Sequence, residues 1–208
     1  MRLVVFLAAA LAAQAASVPK IYFTKDFPGS TPPFVAITVD RNGEAEFRES
    51  QDPNQPPLRF RLEPAETEAI FSLAAKLDYF SHPLETKRKV AFTGHKTFRY
   101  EDGQMSREVK FNYSENPDAQ ALVEWFQRIA DTSVFNITLE RTARYDRLGV
   151  DRVLLNLHIA AENNRLAGAS QLLPILDRIA NNPAAFNRAR ERAAALAGFI
   201  RARSAADK

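Results

Sequence analysis

Cysteine is absent from all 208 residues. That excludes disulfides, thiolate metal sites, a cysteine nucleophile and a lipid anchor on an N-terminal cysteine. Glycine is scarce as well: the seven glycines are scattered at turns, and none forms a phosphate-binding loop. The chain contains no G-x-S-x-G elbow, no S-x-x-K and no H-E-x-x-H, and its three histidines show no partner pattern. After the first residues no charge-free apolar stretch approaches the roughly 20 residues of a membrane span.

What is present begins with Met1-Arg2, an apolar run from Leu3 to Ala13 and the small-residue site Ala13-Gln14-Ala15. One basic residue, a short apolar segment and an A-x-A site describe a secretory signal peptide over residues 1–15. The expected location is therefore exported, periplasmic or extracellular, neither lipid-anchored nor transmembrane. Without disulfides, such a chain is held by its core. Fifteen phenylalanines and a 46% apolar composition supply one, and a mature chain of this size buries roughly 70% of its unfolded surface. Charge is uneven: residues 141–208 carry 12 basic and 6 acidic side chains, residues 16–140 carry 15 and 19. The step predicts two regions with different surfaces.

Two stretches share one order. Phe34 to Val39, the turn Asp40-Arg41-Asn42-Gly43, Glu44 to Arg48 and the alternating Leu58 to Leu62 lead into a helix from Pro64, with Ile70, Leu73, Ala74 and Leu77 on one face. Thr97 to Glu101, a turn at Glu101-Asp102-Gly103-Gln104 and a return strand burying Val109, Phe111 and Tyr113 lead into a second helix. That helix starts at Asn116-Pro117-Asp118 and carries a stripe of Leu122, Trp125, Phe126 and Ile129. Ile21-Tyr22-Phe23 reads as a short edge strand, and Pro28 to Pro33 as loop. From Val134 the period is helical: a short helix over Leu139–Tyr145, a centrally buried one from Asp151, one over Leu172–Ala180 and one from Asn182-Pro183.

The expected class is α+β: an antiparallel sheet from two hairpin-helix units with helices on one face, followed by an all-helical C-terminal segment. The expected division is a signal peptide over 1–15, an α+β domain over 16–134 and a helical bundle segment over 135–208.

Phe34 to Ile129 resembles a domain of unknown function found in exported bacterial proteins, a hairpin-helix unit repeated twice. The matching residues are Asp40 to Gly43, Ala65 to Phe80, Thr93 to Phe98 and Leu122 to Ile129. The family pattern has an aspartate before the second hairpin, where this chain has Gly94. Leu172 to Leu196 is similar to one HEAT-type helical pair, through Leu172-Leu173-Pro174, Ile179, Asn182-Pro183, Arg188 and Ala193. Neither resemblance implies an activity.

Candidate chemistry is thin. Asp78, His82 and Glu85 cluster near a helix end, with His95 further on, but zinc catalysis needs three ligands in a fixed frame and this spacing supplies none. His158, four residues after Leu154 and four before Glu162, reads as a core histidine bonded to a carboxylate. Arg141, Arg144 and Arg147, with Arg188, Arg190 and Arg192, make a basic segment without stacking aromatics. It reads as solvated surface or complement to the acidic domain, with weak contact to an anionic surface as the functional option and no nucleic acid expected. Asn136-Ile137-Thr138 is a formal glycosylation acceptor. No catalytic, cofactor-binding or metal residue is assigned and no cofactor is expected. The expected function is a non-catalytic exported binding or scaffold module with a macromolecular, protein partner. The natural contact is the polar sheet face carrying Arg99, Glu101 and Lys110. The alternative is a cell-envelope enzyme accessory or inhibitor-like protein, and after it a hydrolase.

Overall fold

The structure is a computed structural model and describes residues 17–206; the signal segment expected over 1–15 lies outside them. Six strands form one antiparallel sheet: β1 (Lys20–Asp26), β2 (Phe34–Asp40), β3 (Glu44–Arg48), β4 (Leu58–Arg61), β5 (His95–Glu101) and β6 (Ser106–Phe111). Their spatial order is β4-β3-β2-β1-β5-β6. Among the described residues there are five α-helices: α1 (Pro64–Lys76) lies between β4 and β5, and α2 (Pro117–Tyr145), α3 (Val150–Glu162), α4 (Leu173–Ala180) and α5 (Asn187–Ala206) follow β6. The chain is α+β, with its C-terminal part all helical.

Alternation sets the two sheet faces. Ile21, Phe23, Ile37, Val39, Phe47, Phe98, Val109 and Phe111 point inward and are buried beneath α1 and α2. Asp40 organises the first hairpin turn: its Oδ1 accepts the Asn42 and Glu44 N–H groups at 2.9 Å each. Asp102 does the same in the second, accepting from Gln104 at 3.0 Å and Met105 at 2.8 Å.

Several expectations are corrected, among them Tyr113, which is 39% exposed just past the end of β6 and not buried on the return strand. β1 is the central strand and not an edge: its seven residues pair with β2 on one side and β5 on the other. It is the strand that joins two hairpins into one sheet, so neither of its flanks is left unpaired. The short helix expected over Leu139–Tyr145 is the end of α2, which runs 29 residues without a break, about 43 Å at 1.5 Å per residue. The 134/135 division therefore falls inside that helix. Finally, α3 is amphipathic and not buried all round, with Leu155 39% and Ile159 48% exposed.

α2 passes from one core into another. Its Leu122, Phe126 and Ile129 pack under the sheet, where Phe126 stacks on Phe23 at 4.8 Å and Phe98 touches Phe23, Phe80, Phe111 and Phe126. Its Leu139 enters a second core of aliphatic side chains from α3, α4 and α5. Trp125, expected buried with the stripe, is half-buried, and the Arg128 guanidinium lies 4.3 Å from its ring centre.

The segment before α4 ties the two cores together. Gly168 adopts φ 63°, and a Cβ there would stand 2.9 Å from Leu62 Cδ2 and 3.1 Å from Phe60 Cε2. Its N–H donates to both carboxylate oxygens of Glu66 at 3.0 and 3.1 Å. Glu66, 9% exposed, also accepts the Glu63 N–H at 3.0 Å. Burial pushes its carboxyl above the usual range, against the lowering effect of those N–H groups.

Candidate functional site

The residues singled out in the sequence do not converge. The Asp78 carboxylate accepts from the Ser81 hydroxyl and lies 3.6 Å from Arg107, and its carboxyl is held below the usual range, chiefly by Ser81. His82 stands 3.7 Å from it at the surface. Glu85 is turned away to accept the Asn112 N–H at 2.5 Å, and His95 packs edge-on to Phe92. Among the described residues no group of three or more His, Asp or Glu is placed to hold a metal ion. His158 pairs with Glu162 at 3.3 Å as expected, but its side chain is 45% exposed, so it is not a core residue.

The basic segment is largely satisfied within the bundle. Arg188 and Arg192 both meet Asp151, Arg147 donates to the Ala184 carbonyl, and Arg190 donates to the Ala180 carbonyl at 3.2 Å. Asn136 is buried and spends its amide on the Gln171 carbonyl at 2.9 Å.

The face of the sheet opposite the helices is uncovered. Tyr22 is central on it, with the Arg99 guanidinium 4.0 Å from its ring centre and Glu101 3.1 Å from Arg99. Burial, and then the Glu101 carboxylate, raises the Tyr22 phenol above its usual range. A shallow trough of about 270 Å³ runs past Thr24, Ala36, Thr38 and Thr97. Most charges around it pair off within the sheet: Arg59 with Glu46 at 2.9 Å, Arg61 with Glu44 at 2.8 Å, and Lys110 with Glu108 at 3.2 Å.

The concave site lies elsewhere, where the sheet, α2 and α3 meet. A half-open cleft of about 630 Å³ is lined by three regions distant in sequence. Phe23 and Lys25 come from β1, and Ser30, Thr31, Pro32 and Val35 from the β1–β2 connection and the start of β2. Gln127, Ala130, Asp131, Val134 and Phe135 come from α2; Asn156, Ile159, Ala160 and Asn163 come from α3 and its end, with Arg165 just beyond. Both helices offer the same spacing. Residues 127, 130, 131 and 134 lie at i, i+3, i+4 and i+7, as do 156, 159, 160 and 163, so each turns one face to the cleft.

Phe23, Val35 and Ala130 form a buried apolar floor, and Ile159 stands half-exposed at the lip. Polar groups line one wall in a connected row. Lys25 Nζ approaches Gln127 Oε1 at 3.5 Å, Gln127 Nε2 donates to Asp131 Oδ1 at 2.8 Å, and Arg165 meets Asp131 Oδ2 at 3.4 Å. Apolar walls with a few convergent polar groups are the usual make-up of a ligand site, and the volume falls within the roughly 300–1,000 Å³ such sites occupy. The one signal for it in the sequence is the i, i+3, i+4, i+7 pairing of apolar and carboxamide residues on the two helices; the sequence does not say that these faces meet.

Comparison with protein-family models, with curated proteins and with solved structures finds no match to this chain. No helix among the described residues is long and apolar enough to cross a membrane.

Proposed function

We propose that this chain is a non-catalytic binding module that receives the apolar body of a ligand in the cleft between its sheet and its helical segment. Export, which rests on the pattern of residues 1–15, would place it in the periplasm or outside the cell. The observation that carries the reading is the pair of matched helix faces opening over the Phe23–Val35 floor. The groups at the rim support binding over turnover. Three are carboxamides, Gln127, Asn156 and Asn163, which orient a ligand but neither take nor give a proton near neutral pH. The one carboxylate, Asp131, is engaged by Arg165 and Gln127, and the Ser30 hydroxyl donates to the Phe27 and Pro32 carbonyls at 2.8 and 2.7 Å. No histidine lines the cleft.

A second reading uses the uncovered sheet face as a contact for a protein of the cell envelope, as an accessory or inhibitor-like module. Its support is the half-buried Tyr22–Arg99–Glu101 group on that face. The internal pairing of the other charges weighs against it, because groups already paired gain little from a partner.

The two are separated with a neutral apolar fluorophore, N-phenyl-1-naphthylamine. The wild-type protein is expected to enhance its emission saturably, and Ala160→Trp, which fills the cleft, to reduce binding at least tenfold while thermal unfolding stays cooperative. Unchanged binding in folded Ala160→Trp, or no saturable binding in the wild type, would remove the cleft from consideration.

A further inference from the structure

The inner face of the sheet carries an unusual pair. Lys25 on β1 stands directly opposite Lys96 on β5, and both follow the inward alternation of Phe23 and Phe98. Like charges directly opposite one another across antiparallel strands are destabilising. Lys96 is buried, and its ammonium is satisfied by neutral oxygens alone: the Thr93 hydroxyl at 3.1 Å and the carbonyls of Thr93, Gly94 and Asn112 at 3.4, 3.2 and 2.7 Å. Burial first, and then the charge of Lys25, hold it below the usual lysine range. Among the described residues, no carboxylate stands within ion-pairing distance of either lysine. Among the described residues, the side-chain partner of Lys25 is the carboxamide oxygen of Gln127 at 3.5 Å.

Lys25 lines the cleft, and Lys96 does not. One end of the cleft, above its apolar floor, therefore presents the ammonium of half-buried Lys25 with no carboxylate paired to it and a second cation behind it. At the other end of the polar row, Asp131 and Arg165 neutralise each other, with Gln127 standing between Asp131 and Lys25. The cleft is thus electrically directional, apolar along its floor and positive at the β1 end.

We infer that the cleft binds a small anionic amphiphile, an apolar chain or ring system ending in a carboxylate, with the carboxylate against the Lys25 ammonium and the apolar body along Phe23, Val134 and Ile159. This rests on the cleft being the binding site and adds the chemistry of its ligand. A carboxylate there makes a charge-assisted hydrogen bond, about twice as strong as a neutral one, and offsets the repulsion of the facing lysines. An alcohol of the same chain length gains the apolar contact only.

The test is displacement of N-phenyl-1-naphthylamine at neutral pH by dodecanoate, dodecanol and dodecyltrimethylammonium below their aggregation concentrations. Dodecanoate is expected to displace the dye at a concentration at least tenfold lower than dodecanol, with the trimethylammonium compound weakest. Lys25→Met should abolish the preference for the carboxylate, judged as the dodecanoate-to-dodecanol ratio within the same variant, and Lys25→Arg should retain it. The Met variant is expected to fold, since it removes one of two facing like charges. Equal displacement by dodecanoate and dodecanol, or a preference unchanged in Lys25→Met, would overturn the anion assignment while leaving the cleft as an apolar site. Failure of the dye to bind would overturn the cleft itself.

Discussion

The two cores of this chain are built from different materials. Under the sheet, four phenylalanines (Phe23, Phe80, Phe111 and Phe126) gather around Phe98, the paired ring centres 4.8–5.9 Å apart. Between the helices, the buried apolar side chains among the described residues are Leu, Ile, Val and Ala. Sheets leave a deep, broad space beneath them that large rings fill, whereas helices approaching through Ala189, Ala193 and Ala197 leave room only for aliphatic side chains. The difference teaches where the cleft comes from. α2 serves both cores, and at Gln127–Phe135, where it passes from one to the other, neither packing mode fills the space on its outer side.

The largest expected effect probes the aromatic core. Phe98→Ala removes the ring that four others touch, and a cost of about 3–5 kcal/mol is expected for such a deletion. The readout is the midpoint of urea unfolding followed by far-ultraviolet circular dichroism. A loss below about 1 kcal/mol would mean that the cluster is not packed as described.

Next is the aliphatic core. Leu176 is fully buried on α4, and Leu176→Ala is expected to cost about 2–5 kcal/mol. The comparison sharpens in the shape of the curve. Because α2 is shared and Gly168 packs on Phe60 and Leu62, both variants should shift one transition. A separate early transition in Leu176→Ala alone would show that the helical segment unfolds independently of the sheet.

How far this was legible in the sequence differs between the two regions for physical reasons. Residues 34–48 and 97–111 alternate with period two beside turn residues, so their hairpins could be read from local pattern. β1 could not be given its place. Ile21-Tyr22-Phe23 has too few apolar positions to reveal a two-sided strand, and strand order depends on pairings that are remote in sequence. The continuity of α2 was hidden around Thr132-Ser133, weak helix formers just before the expected division at 134/135. Thr132 is held in the helix by its hydroxyl, which donates to the Arg128 carbonyl at 2.8 Å and accepts the Ala167 N–H at 3.2 Å. Leu155 and Ile159 make α3 look buried because composition reports apolarity and not what faces it. The cleft was illegible for the same reason: Lys25, Gln127 and Asn163 share a wall only once three elements have packed.

The smallest expected effect tests the joint between the cores. Glu66 sits where α1 meets the Gly168 turn, and burial raises its carboxyl pKa above the unfolded value near 4.5. The folded chain therefore holds this proton more tightly than the unfolded one. The contribution to stability is fully present below about pH 4.5 and is lost as pH rises through the folded pKa, at no more than about 1.4 kcal/mol per pH unit for one proton. Glu66→Gln keeps an oxygen for the Gly168 N–H and removes the titration. Asp78 and Asp102, whose carboxyls are shifted downward, titrate equally in both proteins, so they cancel in the difference between wild type and variant. Stability measured by urea unfolding from pH 4 to 8 should show wild type losing ground to Glu66→Gln as pH rises. Parallel curves would mean that Glu66 is solvated in the folded chain, and the joint between the two cores would then be looser than the 3.0 Å contact to Gly168 requires.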